Sequence, residues 1–164
     1  MDFYQQLGYL ILGTRLRRLS EYFLSEVNKV YQQRGIAFEA SWFPVFYILS
    51  KEKAVTIKTI SDQLQVSHSA MSQLVASLKK KGWLKSQTHG KDARQQMIQL
   101  TEAGEDLLEQ IKSVWQDITG AMQQLDENNT AVHALLPAIE ALEKAFASQA
   151  LSDQILHIEP EHAI

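Results

Sequence analysis

Residues 67–80 hold a run of small polar and basic side chains of the types that contact nucleic acid. Serine, histidine and glutamine can hydrogen-bond base edges or phosphates, and lysine can pair with a phosphate. We therefore predict a DNA-contacting face. Its residues are Ser67, His68, Ser69, Ser72, Gln73, Ala76 and Lys80. For His68, contact with a phosphate and simple exposure to solvent are equally good interpretations.

The spacing of apolar residues predicts the two helices that would present this face. Ile57, Ile60 and Leu64 repeat at the interval of one buried helical stripe, and Thr56 is suited to cap that helix. After a tight break, Ser67 can cap a second helix. The inward stripe of the second helix is Met71, Leu74, Val75 and Leu78. Because that stripe faces inward, the polar and basic residues lie on the opposite face, where a helix can enter a major groove.

A basic β-hairpin is predicted to follow the second helix. Gly82 is suited to the position just past a helix end, and residues 83–88 and 95–100 have strand character. The turn between them carries Lys91, Asp92 and Arg94. A cation at such a tip can meet phosphate or enter a narrow minor groove. Two helices and a hairpin in this order make a winged helix-turn-helix.

Charge is distributed unevenly along the chain. The whole sequence has a net charge of -3. The segment from Lys53 to Arg94, however, contains eight Lys or Arg and two Asp, which makes it +6, while the remainder holds eight bases and seventeen acids, which makes it -9. A basic module in an acidic chain is typical of a specific DNA reader. The alternative from charge alone is a set of solvated lysines on a helix face.

The chemistry of the whole chain limits the other function classes. It has 164 residues and no cysteine, which excludes disulfides, thiolate metal sites and thiol redox sensing. No nucleophile elbow, phosphate loop or paired carboxylates are present, so we predict no enzyme and no cofactor. His157 and His162 lie in an acidic stretch that could chelate a metal, but irregular spacing favours a flexible tail, so no metal is predicted. We find no signal peptide or membrane span and expect a cytoplasmic protein.

Long amphipathic helices are predicted on both sides of the winged helix. Residues 1–35 are predicted as one dimerisation helix, 36–100 as the winged helix-turn-helix, 101–150 as C-terminal dimerisation helices and 151–164 as a polar tail. Ser41 and Thr101 are predicted helix caps. A break is expected after Asp126, and Pro137 should kink the last helix or mark its start.

The fold class that follows is mainly α with a small β-hairpin wing (α+β). The terminal helices carry more apolar surface than a winged helix needs, so their expected partner is a second copy. A two-fold homodimer would set two recognition helices about 34 Å apart, one turn of DNA.

An aromatic cluster precedes the winged helix and includes Trp42, Phe46 and Tyr47. Core packing is one interpretation, because aromatic residues at helical spacing are usually buried. The other is an effector pocket for a small apolar or aromatic anion, with Arg15, Arg17 or Arg18 as the cation.

The ordered set of these motifs resembles the multiple antibiotic resistance regulator (MarR) family of bacterial transcription factors. The residues that carry the resemblance are Thr56–Leu64, Val66–Val75, Lys81–Gly82, Asp92–Arg94 and Leu100–Gly104. The resemblance implies an obligate homodimer with two winged lobes, a pseudo-palindromic operator, and ligand action between dimer helices and lobes. It also implies that Asp92 braces Arg94 while Arg94 probes the minor groove.

Two positions depart from the family pattern. Gln65 stands where a turn glycine is common, which predicts a slightly strained or open turn. Gln73 stands where many relatives carry arginine, and a glutamine amide suits adenine better than guanine.

The sequence therefore favours a homodimeric, sequence-specific regulator of transcription that binds double-stranded DNA, with repression as the expected mode and release by a small molecule. The alternative is a winged-helix module that docks protein and does not bind DNA.

Overall fold

The computed structural model describes residues 3–88 and 96–157. The described part is mainly helical with one small sheet, as predicted. Its elements are α1 (Phe3–Gln6), a 3-10 helix (Gly8–Ile11), α2 (Leu12–Gln33), a second 3-10 helix (Ala40–Trp42), α3 (Phe43–Lys51), β1 (Val55–Thr56), α4 (Ile57–Leu64), α5 (His68–Lys80), β2 (Leu84–Thr88), β3 (Gln96–Leu100), α6 (Glu102–Asn128), α7 (Thr130–His133), α8 (Leu135–Ser148) and α9 (Leu151–Leu156). The chain divides into two compact units, and the division falls within α6, after Asp117. None of the described helices has the length and apolar character that crossing a membrane requires.

The first unit has a dense core to which α2–α6 and β3 all contribute. Its most deeply buried large side chains are Tyr31, Val45, Phe46, Ile60, Val75, Leu78, Ile98, Ile111 and Val114. The predicted inward stripe of α5 is confirmed, since Met71, Val75 and Leu78 are buried and Leu74 is half-buried. The winged helix therefore shares one core with the helices on either side of it.

The sheet is antiparallel with strand order β1-β3-β2. The predicted hairpin is confirmed: β2 pairs with β3 from Leu84 opposite Leu100 to Thr88 opposite Gln96. The third strand is not apparent in the sequence, because two residues are too few to display a period-2 pattern. In β1, Val55 lies opposite Ile98, and both side chains are buried.

Side-chain caps begin three of the helices at the predicted residues. The hydroxyl oxygens of Thr56, Ser67 and Thr101 accept hydrogen bonds from backbone N–H groups three residues on, at 3.0, 3.2 and 3.0 Å. Ser41 was predicted to cap α3, and this is wrong. Ser41 lies in the 3-10 turn, α3 begins at Phe43, and no side chain caps it. Pro44 occupies the first turn of α3, where it has no helical donor to remove.

Three helices end in left-handed residues that let the following chain turn back. Gly35 and Gly82 have φ values of 67° and 83° and follow α2 and α5. After α5, Gly82 N–H donates to the Lys79 carbonyl and Trp83 N–H to the Leu78 carbonyl, which is the Schellman arrangement. Gln65 closes α4 in the same way with φ 52°. The strained turn predicted at Gln65 is thus present.

The prediction of a single helix over residues 1–35 is wrong in its first third. Gly8 has φ 50°, a value that no α-helix accommodates, and it begins a 3-10 helix after α1 has ended at Gln6. The regular helix begins only at Leu12.

The second unit contains the end of α6 and helices α7–α9. Asn129 caps α7, and its side-chain oxygen accepts from the N–H groups of Ala131 and Val132. The last helix predicted before residue 150 is divided into α7 and α8, and Pro137 lies in the first turn of α8, as one of its two predicted roles requires. Residues 151–156, assigned to a polar tail from the sequence, form α9.

Candidate DNA interface

Helix α5 displays the residues predicted to contact DNA along one open face. Ser67, His68, Ser69, Gln73, Ala76 and Lys80 are exposed, and Ser72 is half-buried. The face begins with short side chains and ends with a cation, so the first turns can approach base edges before the last turn reaches the backbone. The structure brings these seven residues together as predicted.

Two of the polar groups on this face already have partners within the helix. The Ser67 hydroxyl is engaged as the cap, and the Ser72 hydroxyl lies 3.3 Å from Nδ1 of His68. The Gln73 amide has no hydrogen bond to any described residue. Its donor and acceptor therefore both remain available, the pair that binds an adenine edge in a bidentate way.

Helix α4 supports α5 from behind. Ile60 of α4 is fully buried, and Ser61 is a buried polar residue whose hydroxyl donates to the Lys58 carbonyl at 2.9 Å. The Lys58 ammonium pairs with Asp62 at 2.9 Å on the exposed side of the same helix. Because α4 carries no net charge, the +6 charge of the Lys53–Arg94 segment comes from Lys53 and from residues 79–94.

The end of α5 is joined to the start of α6 by a dense set of contacts. The Thr101 hydroxyl donates to the Gly82 carbonyl at 2.6 Å, and the Thr101 N–H donates to the Trp83 carbonyl at 3.0 Å. A Cβ at Gly104 would lie 2.2 Å from the Trp83 carbonyl oxygen. Only glycine lets α6 start this close to the chain leaving α5.

The wing is the hairpin of β2 and β3. Lys85 is an exposed cation on β2. The predicted tip residues Lys91, Asp92 and Arg94 lie outside the described residues, as does most of the turn that holds them.

Comparison with known proteins finds a family model that matches one part of the chain. A family model described as the MarR family matches residues 38–95, the stretch from before α3 to the start of β3. This part of the chain is therefore similar to the MarR family. No curated protein sequence matches the chain significantly.

Solved structures resemble the fold over most of the chain. An Acinetobacter sp. ADP1 transcriptional regulator described as MarR/EmrR family has a TM-score of 0.64 at 22% identity, covering 84% of this chain and 95% of its own. A mutant MarR from E. coli, complexed with operator DNA, has a TM-score of 0.67 at 22% identity, with coverage of 88% and 99%. A MepR–DNA complex from S. aureus has a TM-score of 0.66 at 18% identity, with coverage of 80% and 97%.

The residues predicted to hold an effector are not gathered at one place in the described structure. Trp42 and Phe46 are buried, and both pack edge-on against Phe38, with ring centroids 5.5 and 5.0 Å away. Tyr47 is partly exposed in a second group with Phe43 and Trp115. The structure therefore supports the core-packing interpretation for Trp42 and Phe46.

The predicted arginines lie near the start of α2, whereas the aromatic cluster packs near its end, at Tyr31. Arg15 is exposed, and the Arg18 guanidinium stacks over the Tyr4 ring at 4.1 Å. Tyr31, which packs on Phe38, is further along the same helix by about 20 Å at 1.5 Å per residue. Within residues 3–88 and 96–157, neither arginine forms a hydrogen bond, ion pair or cation–π contact with the aromatic cluster.

A buried tyrosine, Tyr31, links α2 to α6. Burial raises the pKa of Tyr31, and a hydrogen bond with the Trp115 side chain opposes that rise. Nearby, the Arg34 guanidinium pairs with Asp117 of α6 at 2.6 Å. Sequence reasoning missed both contacts, because no local pattern signals a pairing across more than 80 residues. Within the described ranges, no group of His, Asp or Glu side chains is arranged to hold a metal ion.

Proposed function

We propose that this protein is a sequence-specific regulator of transcription that binds double-stranded DNA as a homodimer. The observation that carries the proposal is the outer face of α5, where the Gln73 amide, which has no hydrogen bond within residues 3–88 and 96–157, lies between small side chains and the terminal Lys80. That arrangement permits base readout by the first turns and phosphate contact by the last. The resemblance to proteins solved with DNA supports the same conclusion. The protein would act in the cytoplasm, where bacterial DNA lies, and would catalyse no reaction.

The wing is the proposed second contact with DNA. Arg94 would enter the minor groove beside the recognition site, where a narrow A·T-rich groove concentrates negative potential, and Lys91 would meet a phosphate. Asp92 would orient Arg94. The +6 segment of the chain supports this assignment, since a phosphate-binding surface needs surplus cations.

Dimerisation is proposed because large apolar side chains remain uncovered in the terminal helices. In the first unit, Tyr9 and Leu10 are 91% and 87% exposed; in the second, Leu136 and Leu156 are 74% and 80% exposed. Soluble proteins rarely expose contiguous apolar surface of this kind without a partner. A second copy is the partner that also supplies the second recognition helix of a two-fold site.

A small apolar or aromatic anion remains the proposed effector. Within one chain Tyr47 and Phe43 present rings to solvent, whereas Trp42 and Phe46 do not. An effector would therefore touch Tyr47 first, and Arg15 or Arg18 would contribute only if a second copy brought them near. Such a ligand controls DNA binding only if it prefers one conformation of the dimer.

Selection from a random pool of duplex DNA tests the proposed function. We expect enrichment of a pseudo-palindrome with half-sites about 10 base pairs apart, bound with steep dependence on salt. Fluorescence anisotropy on the selected duplex and a scrambled duplex then measures specificity. Equal affinity for both duplexes, or no enrichment at all, would favour the winged-helix module that docks protein.

A further inference from the structure

Three consecutive lysines end the recognition helix, and the structure gives each a different environment. Lys79, Lys80 and Lys81 point from successive positions around the helix, so they cannot all face DNA. Sequence alone treats them as one basic cluster. Their contacts separate them into one cation directed at the wing, one directed at the aromatic core and one that contacts no other described residue through its ammonium.

Lys81 is held by aromatic rings. Its Nζ lies 5.0 Å from the ring centroid of Trp42 and 5.5 Å from that of Trp83, and the two indoles are themselves 5.1 Å apart. An ammonium this close to two indole faces is attracted by both ring quadrupoles. Trp42 is buried and precedes α3, whereas Trp83 follows Gly82. The cation therefore ties the end of α5 to a fixed part of the core.

Lys79 is held by the wing. Its Nζ donates to the Ser86 hydroxyl at 2.7 Å, and Ser86 lies opposite Ile98 in the centre of the hairpin. This bond joins the last turn of α5 to β2 across the Gly82 turn. It fixes the angle between the recognition helix and the hairpin that carries the wing tip.

Lys80 has no hydrogen bond, ion pair or ring contact to any residue in the ranges 3–88 and 96–157. It is exposed on the same face as Gln73 and Ala76. A free ammonium in the last turn of the recognition helix is in the position from which a phosphate is reached.

We propose that Lys79 and Lys81 are positioning residues that fix the recognition helix against the wing and the Trp42–Trp83 pair, while Lys80 alone of the three neutralises a DNA phosphate. This inference rests on the proposed function for its DNA-binding part. The Trp42–Lys81–Trp83 contact stands without it, because it is present in the DNA-free chain.

The salt dependence of DNA binding separates a phosphate contact from a positioning contact. Each neutralised phosphate contributes about 0.9 to the slope of log K against log salt. In a dimer, Lys80→Met should lower that slope by about 2, because both copies lose one contact. Lys81→Met should weaken specific binding several-fold with the slope unchanged, and Lys81→Arg should restore affinity, since arginine also binds aromatic faces.

A second measurement needs no DNA. In the free protein, Lys81→Met should shift tryptophan emission and lower the melting temperature by about 2–4 °C, whereas Lys80→Met should change neither. For Lys79, the double variant Lys79→Met/Ser86→Ala should bind DNA no more weakly than either single variant, because the two changes break one bond.

The outcomes are distinguishable from failure of the proposed function. If the wild-type protein shows no specific, salt-sensitive binding, the proposed function and the role of Lys80 both fail, and the emission of Lys81→Met still decides the aromatic contact. If the wild type binds as expected but Lys81→Met lowers the salt slope as much as Lys80→Met, the assignment of Lys81 as a positioning residue is wrong. Unchanged emission and melting temperature in Lys81→Met would overturn it as well.

Discussion

The winged helix buries its apolar side chains within one chain, whereas the terminal helices leave many of theirs exposed. In the winged helix, each helix presents its stripe to a shared core, and residues such as Ile60, Leu78 and Ile98 are fully buried. In the terminal helices, Leu10, Leu136 and Phe146 face outward, although their spacing is just as regular. The same amphipathic signal therefore ends in burial in one region and exposure in the other.

This difference indicates which region folds on its own contacts. The winged helix has side-chain caps, a three-stranded sheet and a core within one chain, whereas α8 has no buried residue at all. An amphipathic helix is stabilised mainly by packing of its apolar face rather than by its intrinsic propensity. We therefore propose that the terminal helices obtain from a second copy the contacts that the winged helix already has within one chain.

Removing residues before Ser20 should have the largest effect. The deletion takes away Leu7, Leu10, Ile11 and Leu16, each worth ~1.5–3 kcal/mol if fully buried in a dimer, a sum comparable with the stability of a whole domain. We expect loss of the dimer in sedimentation velocity experiments. A truncated protein that remains a stable monomer and still binds DNA specifically would show that the terminal helices are not needed.

Gly104→Ala should destabilise the packing between the start of α6 and the end of α5. The new Cβ would lie 2.2 Å from the Trp83 carbonyl oxygen, a backbone atom that cannot move without shifting the end of α5. We expect the free energy of unfolding to fall by about 1–3 kcal/mol or more in denaturant titrations. Gly120→Ala is the matched control in the same helix. It has open space around it, so the same change there should be neutral or stabilising by about 0.5–1 kcal/mol.

Gln73→Ala tests whether DNA readout is confined to the winged helix. The variant should lose about 1–3 kcal/mol of discrimination at one base position per half-site while remaining dimeric. Arg94→Ala should instead weaken binding and reduce any preference for A·T-rich flanks. Anisotropy against a panel of single-base operator variants measures both. Uniform weakening by both variants on every duplex would contradict this division of labour.

The sequence predicts best those features that depend on neighbouring residues. Thr56, Ser67 and Thr101 cap helices as expected, and Gly35 and Gly82 end them, because each acts within one turn. The contacts of Lys79 and Lys81 could not be predicted, since they depend on where Ser86 and two tryptophans come to lie after folding.

The predictions that were wrong or missing share one physical origin, because they depend on backbone conformations and neighbours that a local pattern does not show. The pattern of apolar residues before Leu12 continues the helical period, but Gly8 adopts a positive φ that the pattern cannot reveal. Ser41 is a residue type that favours caps, yet the chain forms a 3-10 turn there and begins the helix two residues later. The strand β1 exists only because β3 lies beside it.

The two turns that end α4 and α5 provide a test with a smaller expected effect on stability. Gln65 and Gly82 both adopt left-handed conformations, a state that costs a residue with a Cβ about 1 kcal/mol. Gln65→Gly should therefore raise the free energy of unfolding by up to about 1 kcal/mol, and Gly82→Ala should lower it by about that amount. Thermal unfolding of the two variants beside wild type gives the comparison. Changes of the same sign would contradict the equivalence of the turns.

The smallest expected effect lies in the second unit. His133 Nδ1 is 2.9 Å from an Asp126 carboxylate oxygen, and this hydrogen bond raises the pKa of His133. Because the pKa is raised on folding, the pair stabilises the protein below the ordinary histidine pKa of about 6.5, and this contribution disappears as pH rises through the folded value. Asp126→Asn should remove that dependence. NMR titration of His133 in both proteins would show it, and equal pKa values would contradict the contact.

The mass of the protein–DNA complex tests the central claim most directly. Native mass spectrometry on the selected duplex should give two chains per duplex, because the terminal helices pair two copies and each winged helix occupies one half-site. A duplex with one half-site scrambled should still recruit two chains, only more weakly, since the dimer forms before it binds. A complex of one chain per duplex, or two chains that bind the half-sites independently, would contradict the account.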